Sequence, residues 1–246
     1  MRNVAKKVFF LYPHSVVQGQ MIDLLIQSEF EVAVLKDHQR ALRLLSKFPS
    51  SILFVNIEEH LSQDDWEVFI RNIVQGNSVH DSRVGVMVYN PNKELAQKYL
   101  IDIGVQCGFI QLKLGLTESA KIVLKALTAN EAKGDRKFVR VSCQPGKATL
   151  NIRSHQDNFR GEIMDISSAG FACVLDGNPE TGTEFDDMQL SLRGAIIHAS
   201  GKLMGKRSEE GQEVISVIMF SEIDREVKGK IYQFIRKTLQ AEIDSI

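Results

Sequence analysis

Two arginines four positions apart, Arg136 and Arg140 in GDRKFVRVS, and an aspartate and serine about 25 residues further on, Asp165 and Ser167 in MDISSAG, have the types and spacing for ligand chemistry. A guanidinium presents its donors in a fixed fork that matches phosphate oxygens and the acceptor edge of a purine. Positions i and i+4 point to roughly the same side of an extended or a helical segment, so the two arginines converge on one anion. If a strand runs through Ser167, then Asp165 and Ser167 share a face while Met164 and Ile166 point to the core. Gly170 then supplies a turn with no side chain in the way. The same residues also suit a plainer account: surface charge at the start of a domain, and a strand-ending turn in which aspartate and serine satisfy backbone donors.

Something must position these groups, and the chain is long enough for two domains. It has 246 residues, 43% hydrophobic and 25% charged, the composition of an ordinary globular protein. No apolar run approaches the roughly 20 residues that span a bilayer, and the N-terminus enters a strand-like segment without a signal-peptide pattern, so a cytoplasmic protein is expected. Cys107, Cys143 and Cys173 are far apart in sequence and are read as small buried hydrophobes. The scattered histidines have no metal-ligand spacing, so neither a metal nor a cofactor is expected. A net charge of -1 disfavours a protein that lives on phosphate backbones, and no DNA-reading motif is present.

The N-terminal half alternates. Apolar runs at 6–13, 31–37, 51–57, 83–90 and 107–113 are separated by segments with helical spacing, as in SVVQGQMIDLLIQSE and HQRALRLLSKF. Near-continuous apolar strands between helices predict a parallel sheet covered on both faces. After residue 127 the texture changes. TANEAKGD, residues 128–135, is polar and small and reads as a linker. From residue 136 come seven short strand-like runs punctuated by turn residues at 145, 177–182 and 208–211, which predict an antiparallel barrel or sandwich. A closing helix is expected over 224–243, with Val227, Ile231, Phe234, Ile235 and Leu239 on one face. The predicted fold is thus a flavodoxin-like α/β domain over 1–127, a linker over 128–135, and a β-barrel with a C-terminal helix over 136–246.

The N-terminal order resembles the response-regulator receiver domain, whose chemistry sits at the carboxyl ends of the strands. The resemblance stops at that chemistry. Tyr12 and Pro13 stand where the family holds magnesium with an acidic pair, Asn56 stands at the phosphoacceptor aspartate, and Tyr89 replaces a threonine or serine, while Lys113 loosely matches the family lysine. An amide is neither a carboxylate nucleophile nor a magnesium ligand of the needed charge. The resemblance therefore implies a pseudo-receiver that binds a protein partner. Glu58, Glu59, Asp64 and Asp65 are read as the solvated start of the helix around Trp66.

The paired RxxxR and DxSxxG elements at the head of a small barrel resemble the PilZ family of receptors for the bacterial second messenger cyclic di-GMP. That resemblance implies that Arg136 and Arg140 contact guanine edges and phosphates, that Asp165 and Ser167 hydrogen-bond a guanine edge, and that Gly170 permits close approach. Asp135 precedes Arg136 where many family members carry a further arginine. The expected function is a cyclic di-GMP receptor, not an enzyme, that alters interdomain geometry or partner binding. The alternative is a nucleotide-independent adaptor.

Overall fold

The computed structural model describes residues 4–15, 17–76, 81–90, 92–153, 158–208 and 213–246. It divides into two compact units, Met1–Lys137 with Glu242–Ile246, and Phe138–Ala241. The first unit runs β1 (Lys7–Leu11), α1 (Ile22–Gln27), β2 (Glu31–Leu35), α2 (His38–Lys47), β3 (Ile52–Asn56), α3 (Gln63–Val74), β4 (Arg83–Val88), α4 (Lys93–Gln97), β5 (Phe109–Gln111) and α5 (Leu116–Ala129). Its five strands are parallel in the order β2-β1-β3-β4-β5, the flavodoxin-like arrangement expected. Every residue of β3 is buried, which is why its sequence, ILFVN, shows no alternation. Helix starts follow local chemistry: the Asp37 carboxylate accepts from the Arg40 amide at 2.6 Å, and the Ser62 hydroxyl accepts from the Asp65 amide at 3.2 Å.

The stretch 128–135, expected as a linker, differs in its first half. Thr128 and Ala129 complete α5. Asn130 is buried, its carbonyl accepts from Lys6 Nζ at 2.7 Å, and its side-chain oxygen accepts from Arg83 at 2.7 Å. The Ala132 carbonyl accepts from the Lys6 amide at 2.9 Å. Small polar residues look like a linker, but here Asn130 accepts from two side-chain donors and Ala132 from a backbone donor inside the fold.

Residues from the far end of the sequence complete this unit. Ile243 is 1% exposed within its apolar core. The Ile243 carbonyl accepts from Arg40 Nη2 at 2.6 Å, Arg40 also lies 3.7 Å from the Asp244 carboxylate, and Lys7 Nζ is 3.4 Å from Glu242.

The second unit contains β6 (Arg140–Ser142), β7 (Ala148–Arg153), β8 (Asn158–Ser167), β9 (Gly170–Leu175), β10 (Glu184–Leu192), β11 (Ala195–Arg207), β12 (Ile215–Phe220) and most of α6 (Arg225–Asp244). The antiparallel ladder runs β8-β7-β10-β11-β12-β9 and returns to β8, closing a six-stranded barrel, while β6 pairs with the upper part of β8. In β7, Ala148, Leu150 and Ile152 face in and the residues between them face out. The expected turn at 208–211 falls almost wholly outside the described residues. Asp224 opens α6 by accepting from the Val227 amide at 2.7 Å, and Ile231, Phe234, Ile235 and Leu239 form its buried face.

Candidate functional site

Arg140 is the first residue of β6, and the register sets it directly opposite Ser167, with Val141 opposite Ile166 and Ser142 opposite Asp165. Residues opposite each other in an antiparallel pair project to the same face. Val141 and Ile166 are buried in the barrel, so Arg140, Ser142, Asp165 and Ser167 share its other face.

Met164 does not point to the core, contrary to the alternation read from the sequence. The pairing of β8 with β9 shifts between Ile163 and Asp165, so Met164 is the extra residue of a β-bulge and is 43% exposed, whereas Ile163 and Ile166 are buried. Strict alternation from Ile163 would turn Asp165 inward. The bulge resets the phase and delivers Asp165 to the face that carries Arg140.

The electrostatics of this face centre on Asp165. Arg140 Nη1 lies 3.5 Å from Asp165 Oδ1, with the arginine side chain 39% and the aspartate 17% exposed. That oxygen is buried and accepts no hydrogen bond among the described residues. An ionised carboxylate only accepts, so Asp165 offers an unsatisfied acceptor beside a cation. A ligand N–H donor aimed there would relieve a desolvation cost of about 1–3 kcal/mol.

Ser167 is buried and already committed to its turn: Oγ donates to the Gly170 carbonyl at 3.0 Å and accepts from the Ala169 amide at 3.3 Å. Its hydroxyl retains one acceptor lone pair for a ligand. Gly170 is needed for a reason the sequence did not show. A Cβ there would fall 2.3 Å from the Ile218 carbonyl oxygen and 2.9 Å from Met219 Cα, so β12 passes too close for any side chain.

Arg136 precedes the second unit in sequence. It is exposed and makes no hydrogen bond or ion pair among the described residues. The structure thus brings Arg140, Asp165, Ser167 and Gly170 together, while Arg136 belongs to the portion of chain grouped with the first unit. Cys143, next to this face, is no nucleophile. Burial, reinforced by the Asp165 carboxylate and opposed by Arg193, pushes its thiol up to about 12.

At the carboxyl ends of the parallel strands, Asn56 is 2% exposed and uses both ends of its amide. Its nitrogen donates to the Tyr12 carbonyl at 2.9 Å and its oxygen accepts from the Glu58 amide at 3.1 Å. An aspartate could not make the first of these bonds. Tyr12 stacks on His60 with ring centroids 3.8 Å apart and meets His38 Nδ1 through its hydroxyl at 3.2 Å. Glu58 accepts from the backbone amides of Tyr89 and Asn90. Asp64 and Asp65 lie in the first turn of α3. Among the described residues no group of three or more histidine, cysteine, aspartate or glutamate side chains is placed to hold a metal ion, and no helix is long and apolar enough to cross a membrane.

Residues 134–237 match the family model of the PilZ domain. The solved PilZ domain with c-di-GMP of YcgR from Escherichia coli is similar at 15% identity and a TM-score of 0.39, covering 45% of this chain and 95% of that one. The Bacillus subtilis inhibitor of motility (MotI/DgrA) is similar at 18% identity and a TM-score of 0.37, covering 43% and 52%. The K. pneumonia MrkH-c-di-GMP complex is similar at 14% identity and a TM-score of 0.36, covering 41% and 50%. The chain therefore spans about half the length of the latter two. No curated protein sequence matched it.

Proposed function

We propose that this protein, whose residues 134–237 match the PilZ domain family model, is a cyclic di-GMP receptor that binds the nucleotide through Arg136, Arg140, Asp165, Ser167 and Gly170. The observation that carries this reading is the buried Asp165 oxygen on the outer face of the barrel, which lies beside Arg140 and accepts no hydrogen bond among the described residues. Guanine matches that pair with complementary groups: O6 and N7 acceptors for the arginine fork, and N–H donors for the carboxylate. The two phosphates of the ligand suit the second guanidinium, Arg136.

The role is one of binding rather than catalysis. The site's groups are donors and acceptors, and the neighbouring thiol is held protonated at neutral pH. The N-terminal unit acts as a pseudo-receiver, since Asn56 donates a hydrogen bond that a phosphoacceptor aspartate could not. Its contribution is a surface for a protein partner, and ligand binding alters that partnership or the geometry between the units. The protein works in the cytoplasm.

Titration calorimetry of the full chain with cyclic di-GMP tests the reading. Arg140→Ala, Arg136→Ala and Asp165→Asn are each expected to weaken binding by about 1.5–3 kcal/mol, ten- to a hundredfold or more. No heat with folded wild-type protein would favour the nucleotide-independent adaptor, and unchanged affinity in all three variants would overturn the site assignment.

A further inference from the structure

The turn between β6 and β7 and the hairpin between β10 and β11 enclose a cleft of about 510 Å³ lined by Gln144, Gly146, Lys147, Ser191, Arg193 and Gly194. Two local rules are broken here at once. Ala148 pairs with Leu192, and the Arg193 amide donates to the Lys147 carbonyl at 2.9 Å, so the ladder continues by one residue and sets Lys147 opposite Arg193. Like charges at such positions, with Cβ atoms about 5 Å apart, repel. The hairpin loop is the two-residue Arg193–Gly194, with φ of 49° and 86°. Its first position favours asparagine, aspartate or glycine, and another residue there costs about 1 kcal/mol or more.

Neither Lys147 nor Arg193 has a carboxylate partner among the described residues, and both are exposed. The carboxylate that reaches this turn, Glu162, accepts a hydrogen bond from the Gly146 amide. Strain and charge repulsion concentrated on one open cleft mark a site where stability has yielded to binding.

We propose that this cleft binds a phosphate-bearing anion, with one phosphoryl group shared between the Lys147 ammonium and the Arg193 guanidinium. A single compact dianion neutralises two cations at neighbouring ladder positions, and the arginine fork suits its oxygens. Gly146 and Gly194 leave the backbone open to close approach. None of Arg140, Asp165, Ser167 and Gly170 lines this cleft, and its occupant is either a free inorganic phosphate species or the phosphate end of a nucleotide.

The test is amide-resolved NMR titration of the full chain with inorganic pyrophosphate and, separately, with GTP, at constant ionic strength. Saturable shifts are expected at Gly146, Lys147, Arg193 and Gly194. Equal affinities assign the site to the phosphoryl group alone, and tighter GTP binding assigns the remaining cleft to a nucleoside. Lys147→Gln and Arg193→Asn should each weaken binding by about tenfold or more. Arg193→Asn should also raise Tm, because asparagine suits the turn and the repulsion is gone. Shifts that do not saturate, binding unchanged in both variants, or a lowered Tm for Arg193→Asn would overturn the proposal. Cyclic di-GMP titrated into the same variants should bind as in the wild type, and its loss would overturn the independence of the cleft.

Discussion

At the scale of single residues, Gly170 and Ser167 have structural duties that separate them from Asp165. Gly170→Ala forces a Cβ against the backbone of β12 and is expected to destabilise the barrel by about 1–3 kcal/mol in urea denaturation. Ser167→Ala removes the hydroxyl that the Ala169 amide uses and should cost about 1 kcal/mol. Asp165→Asn should leave stability nearly unchanged, since that oxygen accepts no hydrogen bond among the described residues and its ion-pair partner Arg140 is exposed. The motif was legible in sequence as a set of residue types, but these differences were not, because they depend on the proximity of Ile218 and Ala169. The cysteines give a prediction in pH. Burial raises the Cys107, Cys143 and Cys173 thiols from 9.0 to about 12. A raised thiol pKa means the folded state keeps protons that the unfolded chain loses. Stability is therefore full below about 9 and declines between about 9 and 12. Native-state alkylation of the buried Cys107 and Cys173 at pH 8 should be slow and limited by unfolding, and rapid labelling of both thiols would contradict this.

At the scale of elements, hydrophobic periodicity placed the strands of the first unit and α6 within a few residues of their observed bounds, and the seven strand-like runs expected after residue 136 match the seven strands β6–β12 among the described residues. The bulge in β8 escaped because Ile163 and Met164 are both apolar, and the pattern cannot say which one leaves the ladder. Yet with Met164 present it is the bulge that turns Asp165 outward. Deleting Met164 removes the extra residue and leaves Ile163, Asp165 and Ile166 in regular in, out, in alternation, so Asp165 should keep its outer face while β8 loses its local bend and the barrel loses stability. Met164→Gln, at an exposed position, should change stability by no more than about 0.5 kcal/mol and leave binding intact. Circular dichroism melts and calorimetry on the two variants check the contrast. The start of the expected linker was misjudged for a related reason: Asn130 and Ala132 look solvent-bound in sequence, and only the positions of Lys6 and Arg83 reveal their partners.

At the scale of the whole molecule, the division into two units was visible in the change of texture near residue 130, but the return of the last residues to the first unit was not. Ile243 continues the helical spacing of Ile235 and Leu239, so nothing in the periodicity separates it from them. Ile243→Ala should destabilise the N-terminal unit by about 2–5 kcal/mol, the cost of a large-to-small change in a packed core. Hydrogen exchange would then accelerate in β1, β2 and β3 while the barrel strands stay protected. Uniform acceleration across both units would show that they unfold as one.

The place of Ile243 also sets the order of events on the ribosome. Domains generally fold as they emerge, N-terminal first. Here the first unit leaves the ribosome with a vacancy in its core, and the residue that fills it is translated only after the whole of Phe138–Ala241. The barrel, made second, can finish first, and the older half of the chain waits in an incomplete state for its last side chain.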